Sequence, residues 1–184
     1  MLLRLGALAL LMMFFALERV LRQPTAAAVQ PAPSDRRSTG LLLAAYSLAL
    51  VSLSVGQQLG PSLPPAVRVA GLGLGMLGLA VRAWAMRTLG ASYTRTLIIA
   101  TGQTVIQHGP YAWIRHPGYL ASLLVWTGSA MAGGGSWLTL GVLLLLTLAH
   151  AYRIRAEEQM LVQAFGATYA QYQARTSRLL PFVV

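Results

Sequence analysis

No cysteine occurs in the 184 residues, which excludes disulfides, thiolate metal sites and a cysteine nucleophile. Lysine is missing too, so all 14 basic side chains are arginine. Charged residues make up only 10% of the chain, and the carboxylates are confined to Glu18, Asp35, Glu157 and Glu158. Acid–base chemistry therefore has few places to reside. The three histidines form no metal-ligand spacing with these carboxylates, and no metal is expected. The net charge of +10 comes from arginines scattered between apolar runs, with no continuous basic face to neutralise phosphates, so nucleic acid is set aside as a partner.

Hydrocarbon is what the chain has in excess. Its 56% hydrophobic content is far too apolar for an ordinary soluble domain of this length. The expected fold is all-α: a polytopic membrane helical bundle of about five transmembrane helices, forming a single membrane domain over residues 1–184.

Met1 to Leu21 is interrupted only by Arg4, Glu18 and Arg19 near its ends, and it is long enough to cross a hydrocarbon core of roughly 30 Å. A cleaved leader ending near Ala26-Ala27-Ala28 is the rival, weakened by Arg19 and Arg22 just after the run. Gln23 to Thr39, rich in Ala, Pro and Arg, is expected to be a surface loop. Gly40 to Leu59 and Ala66 to Met86 are a second and third span, and the prolines between them imply a hairpin. Three spans thus occupy residues 1–86.

Arg87 to Ile114 is polar, and 87–117 is expected to lie outside the membrane. Tyr119 to Ala132 and Trp137 to Tyr152 are apolar arms around Gly133-Gly134-Gly135, a second hairpin within 118–152 whose arms are short enough to imply tilt or a thinned bilayer. From Arg153 to Arg175 a helical period places Glu157, Leu161, Phe165, Thr168 and Tyr172 on one stripe. This mixed segment is expected to leave the bilayer as a C-terminal amphipathic helix, with 153–184 packed beneath the bundle.

Counting arginines against these spans puts Arg4 and Arg68 on one side and the other twelve on the opposite side. By the positive-inside rule the N-terminus faces out and the C-terminus lies in the cytoplasm. Gly71-x-x-x-Gly75 in the third span matches the small-residue pattern for close helix packing.

The densest chemistry lies in Gly109-Pro110-Tyr111-Ala112-Trp113-Ile114-Arg115-His116-Pro117-Gly118-Tyr119. Pro117 suits a first helical turn, which sets His116 near the N-cap, where free backbone N–H groups can hold an anion such as a carboxylate. Interfacial anchoring of Tyr, Trp and Arg at headgroup level is the competing explanation. Arg153 and Glu157 lie one turn apart just beyond a span, where they pair with each other or split between ligands. Arg155 and Glu158 fit a solvated surface pair, and His108 and His150 are individually uninformative.

In order, Leu89-Gly90-Ala91-Ser92-Tyr93, Gly102-Gln103, Gly109-Pro110-Tyr111, Arg115-His116-Pro117-x-Tyr119, Arg153-Ile154-x-x-Glu157-Glu158-x-x-Leu161, Phe165-Gly166-x-x-Tyr169-x-x-Tyr172 and Leu179-Leu180-Pro181 run through half the chain. This segment resembles the isoprenylcysteine carboxyl methyltransferase family, which is related to the phospholipid N-methyltransferases. Ala121 stands where that family usually has glycine.

The resemblance implies S-adenosylmethionine held at the cytoplasmic helix ends. The corresponding contacts are Gln103, Thr104, Val105, Ile106, Tyr111, His116, Pro117, Gly118, Tyr119 and Glu157, while Arg153 matches the position that meets the substrate. A sulfonium donor calls for a nearby acid, an anion-holding helix end and aromatic walls, all offered here. A carboxylate acceptor is already ionised and is oriented by Arg153, whereas an amine needs His116 or Glu157 as base. The scarcity of acids and bases favours the carboxylate of a lipophilic or prenylated acceptor, reached from the membrane lipids. An NADPH-dependent sterol or isoprenoid reductase is the runner-up, since that family resembles the same R-H-P-x-Y segment, and a phospholipid N-methyltransferase is the other alternative. A non-catalytic scaffold and a transporter follow, the latter weakened by the few ionisable residues within spans.

Overall fold

The structure, a computed structural model, describes residues 1–21, 33–55, 61–90 and 104–180. These form α1 (Leu2–Leu21), α2 (Pro33–Val55), α3 (Pro65–Leu89), a 3-10 turn (Gly109–Ala112), α4 (Pro117–Gly133), α5 (Ser136–Phe165) and α6 (Ala167–Arg175). The all-helical expectation holds for the described residues. Two helices, Pro65–Leu89 and Thr139–Phe165, are long and apolar enough to cross a membrane by length and composition.

Three boundaries differ from those expected. First, α2 begins at Pro33, inside the stretch read as a loop to Thr39. Proline is at home in a first helical turn. Second, the arm expected to stop at Tyr152 runs without a break to Phe165, so the helix has 30 residues and a length of about 45 Å. It is not short. Third, the helical period expected from Arg153 to Arg175 is carried by the end of α5 and a separate α6, divided at Gly166, whose φ of 52° is left-handed and favours glycine.

The α4–α5 hairpin is present and turns through Gly134 at φ 103°. Among the described residues α2 and α3 do not pair in the expected hairpin: α3 packs most extensively on α4, and α2 packs on α5. Glycines explain the first choice. A Cβ on Gly128 of α4 would lie 2.5 Å from Gly71 O and 2.6 Å from Gly75 N, and one on Gly78 would lie 2.8 Å from Val125 N. The two backbones approach so closely that only Cα–H surfaces fit between them. Ala121 is fully buried in the same seam, so the substituted methyl is accommodated.

Hydroxyls explain the second choice. Tyr46 of α2 meets His150 of α5 at 3.0 Å, and Ser38 accepts from Arg153 at 2.6 Å. Helix α1 lies against α3 and α4, where Leu10, Phe14, Leu79, Val125 and Trp126 join the core with Ala45, Ala49 and Leu146. At one end of the bundle Leu63 N donates to Gly134 O at 2.7 Å and Arg68 reaches Ala132 O at 3.1 Å, tying the start of α3 to the α4–α5 turn. The polar residues of interest collect at the opposite end.

Candidate active site

At that end lies a cavity of about 440 Å³ with two contrasting walls. One wall is polar and is built from Thr104, Val105, Ile106, Tyr111, His116, Gly118, Tyr119, Arg153 and Glu157. The other is supplied by α1 and α2, through Phe14, Phe15, Leu42, Leu43, Tyr46 and Leu50. A volume of this size is in the range of small-molecule and cofactor sites.

The R-H-P-x-Y segment is placed by the start of α4. His116 occupies the N-cap position and Pro117 the first helical one, and the backbone O of His116 accepts from Tyr119 N at 3.1 Å and Leu120 N at 3.2 Å. One turn into the helix, Tyr119 extends its phenol to α5. Its OH donates to Glu157 Oε2 at 2.6 Å and accepts from Arg153 Nε at 3.3 Å. Arg153 and Glu157 thus converge on a shared hydroxyl, and Arg153 is further oriented by Ser38 Oγ at 2.6 Å and Thr39 Oγ1 at 2.8 Å. Glu157 remains partly exposed, its side chain 26% accessible, so a ligand can reach it.

Beneath this row sits Glu158, and it is no solvated surface residue. The carboxylate is buried and accepts from Arg115 Nε at 2.7 Å and Arg178 Nε at 3.1 Å, with His116 Nε2 at 3.3 Å. Arg155 alone is exposed. The expected surface pair fails because α5 continues inward past Arg153, turning the Glu158 face onto the R-H segment. Arg115 also donates to Gln173 O at 3.0 Å and to Thr176 O, which ties α6 and the tail beneath α4. The tail runs parallel beside 113–116, with Arg115 N on Ser177 O at 2.8 Å and His116 N on Arg178 O at 3.0 Å.

From α6, Tyr169 and Tyr172 line the polar end of the cavity. The Tyr172 OH donates to Tyr111 O at 2.7 Å, and burial pushes its pKa up to about 12; Tyr169 is raised further for the same reason, reinforced by Glu158 and Glu157.

Of the residues expected at the site, Thr104, Val105, Ile106, Tyr111, His116, Gly118, Tyr119, Arg153 and Glu157 line one cavity. Pro117 is buried directly behind them, and Gln103 lies outside the described residues. Two participants were missed. Glu18 on α1 and Arg82 on α3 form a buried ion pair in the cavity wall, with Arg82 Nε to Glu18 Oε1 at 2.8 Å. Arg82 also donates to Gly118 O at 2.7 Å, bracing the first turn of α4. The spans are therefore not free of ionisable groups. The signal was present, because opposite charges at similar depth in two apolar runs need each other. His150 is structural: its Nδ1 lies 2.6 Å from Leu146 O and its Nε2 meets Tyr46.

A model of the isoprenylcysteine carboxyl methyltransferase (ICMT) family matches residues 71–163. A probable protein-S-isoprenylcysteine O-methyltransferase of Oryza sativa subsp. indica is 32% identical over 119 residues, covering 64% of this chain and 62% of that protein. The protein-S-isoprenylcysteine O-methyltransferase of Schizosaccharomyces pombe is 31% identical over 120 residues, covering 63% of this chain and 50% of that one. A solved structure of the eukaryotic intramembrane Ras methyltransferase ICMT superposes with a TM-score of 0.67 at 27% identity, covering 75% of this chain and 52% of that chain. The chain thus spans only part of the length of each of these relatives.

Proposed function

Because the chain belongs to the isoprenylcysteine carboxyl methyltransferase family, we propose that it is a membrane-embedded methyltransferase that moves a methyl group from S-adenosylmethionine to the carboxylate of a lipophilic acceptor, a prenylated cysteine in the first instance. The observation that carries this is the meeting of Tyr119, Arg153 and Glu157 on one hydroxyl, in a cavity whose opposite wall is mostly hydrocarbon.

The polar wall fits the donor. Glu157 supplies a carboxylate for its cationic groups, the α4 N-terminus at Gly118 favours its carboxylate, and Tyr111, Tyr119 and His116 offer ring surfaces. Gln103, Thr104, Val105, Ile106 and Pro117 complete the proposed contact set. Bound there, the donor supplies a methyl on a cationic sulfur: the acceptor's carboxylate oxygen gains it, the sulfur–carbon bond breaks, and the sulfur leaves as a neutral thioether with no proton to move.

The chain's own residues do the positioning. Arg153, fixed by Ser38, Thr39 and Tyr119, holds the acceptor carboxylate through charge-assisted hydrogen bonds. Tyr169 and Tyr172 border the polar end, and holding donor and acceptor in line accounts for most of the rate. Phe15, Leu43 and Leu50 line the cavity and are exposed, which offers an apolar chain a lateral path from the bilayer. Helices α1 to α5 act as five crossings, with the N-terminus outside and the C-terminus and cavity on the cytoplasmic side, as the arginine distribution favours.

The test is incubation of the purified protein with methyl-labelled donor and S-farnesyl-N-acetylcysteine, with a membrane lipid extract in parallel. Label released as methanol by mild alkali marks a carboxyl ester. Label that survives alkali marks an amine acceptor, and tight NADPH binding with no response to S-adenosylhomocysteine overturns the assignment.

A further inference from the structure

The hydrocarbon wall contains one side chain held unlike its neighbours. Tyr46 lines the cavity, and its ring stacks on the fully buried Trp126 at 4.9 Å between centroids and 22° between planes. Its hydroxyl is fixed as well. Leu146 O can only accept, so His150 Nδ1 carries a proton; in the neutral ring Nε2 is then bare and receives the Tyr46 O–H at 3.0 Å. Phe14 faces the same ring across the cleft, with centroids 6.5 Å apart.

Depth follows from helix geometry. Arg153, the proposed carboxylate anchor, is bonded to Thr39 at the start of the cavity face of α2. Tyr46 lies seven residues farther along the helix, about 10 Å at 1.5 Å per residue. Around it exposure alternates: Leu42 and Tyr46 are half-buried, whereas Leu43 and Leu50, which also line the cavity, are exposed. An apolar chain anchored at Arg153 therefore meets this fixed ring about 10 Å along its path, with the exposed Leu43 and Leu50 beside it as the way out.

We infer that Tyr46 is a specificity-determining residue. It is the rigid post against which the acceptor chain packs over its first turns of length, and it directs the remainder out between α1 and α2 into lipid. The inference rests on the proposed function for the position of the carboxylate. Carbons beyond the post pass from lipid to lipid and add little affinity, whereas carbons before it gain contact with an aromatic face.

The experiment measures binding of S-prenyl and straight S-alkyl N-acetylcysteines of increasing length to the full chain in nanodiscs, alongside their methylation. In the unmodified protein affinity rises with length until the chain reaches Tyr46 and then levels off. Tyr46→Ala lowers the affinity of the long prenyl ligands about tenfold, equivalent to the loss of one aromatic contact. Tyr46→Phe, which keeps the ring and loses only the hydroxyl, retains the original length profile. If Tyr46→Ala does not fold by circular dichroism, Tyr46→Leu is used, with the same loss expected. An unchanged length profile in folded Tyr46→Ala or Tyr46→Leu overturns the inference, as does an equal loss in Tyr46→Phe. Failure of every S-substituted cysteine to bind the unmodified protein overturns the acceptor assignment itself and this inference with it.

Discussion

In a Glu158→Ala variant two buried partners, the Arg115 guanidinium and the His116 ring, lose their shared carboxylate. Arg115 Nε lies 2.7 Å and His116 Nε2 lies 3.3 Å from Glu158 Oε1, in a residue only 5% exposed, so water has little room to replace it. Removing one partner of a buried ion pair costs about 3–5 kcal/mol, because the remaining charge is stranded. Arg115 keeps its bonds to Gln173 O and Thr176 O, which places the loss towards the lower end of that range. Arg178 is the internal control: it bonds the same carboxylate at 3.1 Å, but its side chain is 55% exposed, and such pairs contribute about 0–1 kcal/mol. For a chain of this size each kcal/mol moves Tm by about 2–4 °C, so a loss near 3 kcal/mol for Glu158→Ala is expected to lower Tm by about 6–12 °C, and Arg178→Ala by about 0–4 °C. The assay is thermal unfolding in one detergent, followed by circular dichroism. Below the transition, S-adenosylhomocysteine binding to Glu158→Ala should weaken, because the ring of His116 has lost its anchor. Equal Tm shifts for the two variants would refute the claim that Glu158 is buried structural charge.

Three further outcomes are expected. Arg153→Ala should retain donor binding while kcat/KM for the acceptor falls about a hundredfold or more, and Arg153→Lys should rescue little because a point charge cannot reproduce the guanidinium fork; isothermal titration and initial rates check both. Gly128→Ala should destabilise the fold strongly in detergent unfolding, since its Cβ would meet backbone atoms at 2.5 and 2.6 Å, whereas Gly73→Ala, with nothing within 4 Å, should be neutral or slightly stabilising. Tyr172, whose phenol holds its proton to about pH 12, should make the protein lose stability as pH rises from 10 towards 12, because the unfolded state releases that proton first; Tyr172→Phe should flatten that slope in alkaline unfolding curves.

Much of the site was legible because its parts are local. Pro117 behind His116 announces a helix start, and three residues later Tyr119 must share a face with that cap, whatever the rest of the chain does. Arg153 and Glu157 are one turn apart on any helix. The glycines of α3 were legible as a packing face, though not for which neighbour. What the local pattern misjudged was Glu158. Its neighbours in sequence make a surface pair with Arg155 plausible, and only the positions of Arg115 and Arg178, 43 and 20 residues away, reveal a buried carboxylate.

Composition and apolar runs alone establish a helical, lipid-loving chain with its arginines biased to one end, because hydrocarbon solvation and helical periodicity depend only on residues within a few turns of one another. Partner choice was settled in three dimensions. Whether α3 would take α2 or α4, where α5 would stop turning inward, and that Glu18 would find Arg82 across 64 residues all depend on complementary surfaces brought together by folding, for which no neighbouring residue carries the information.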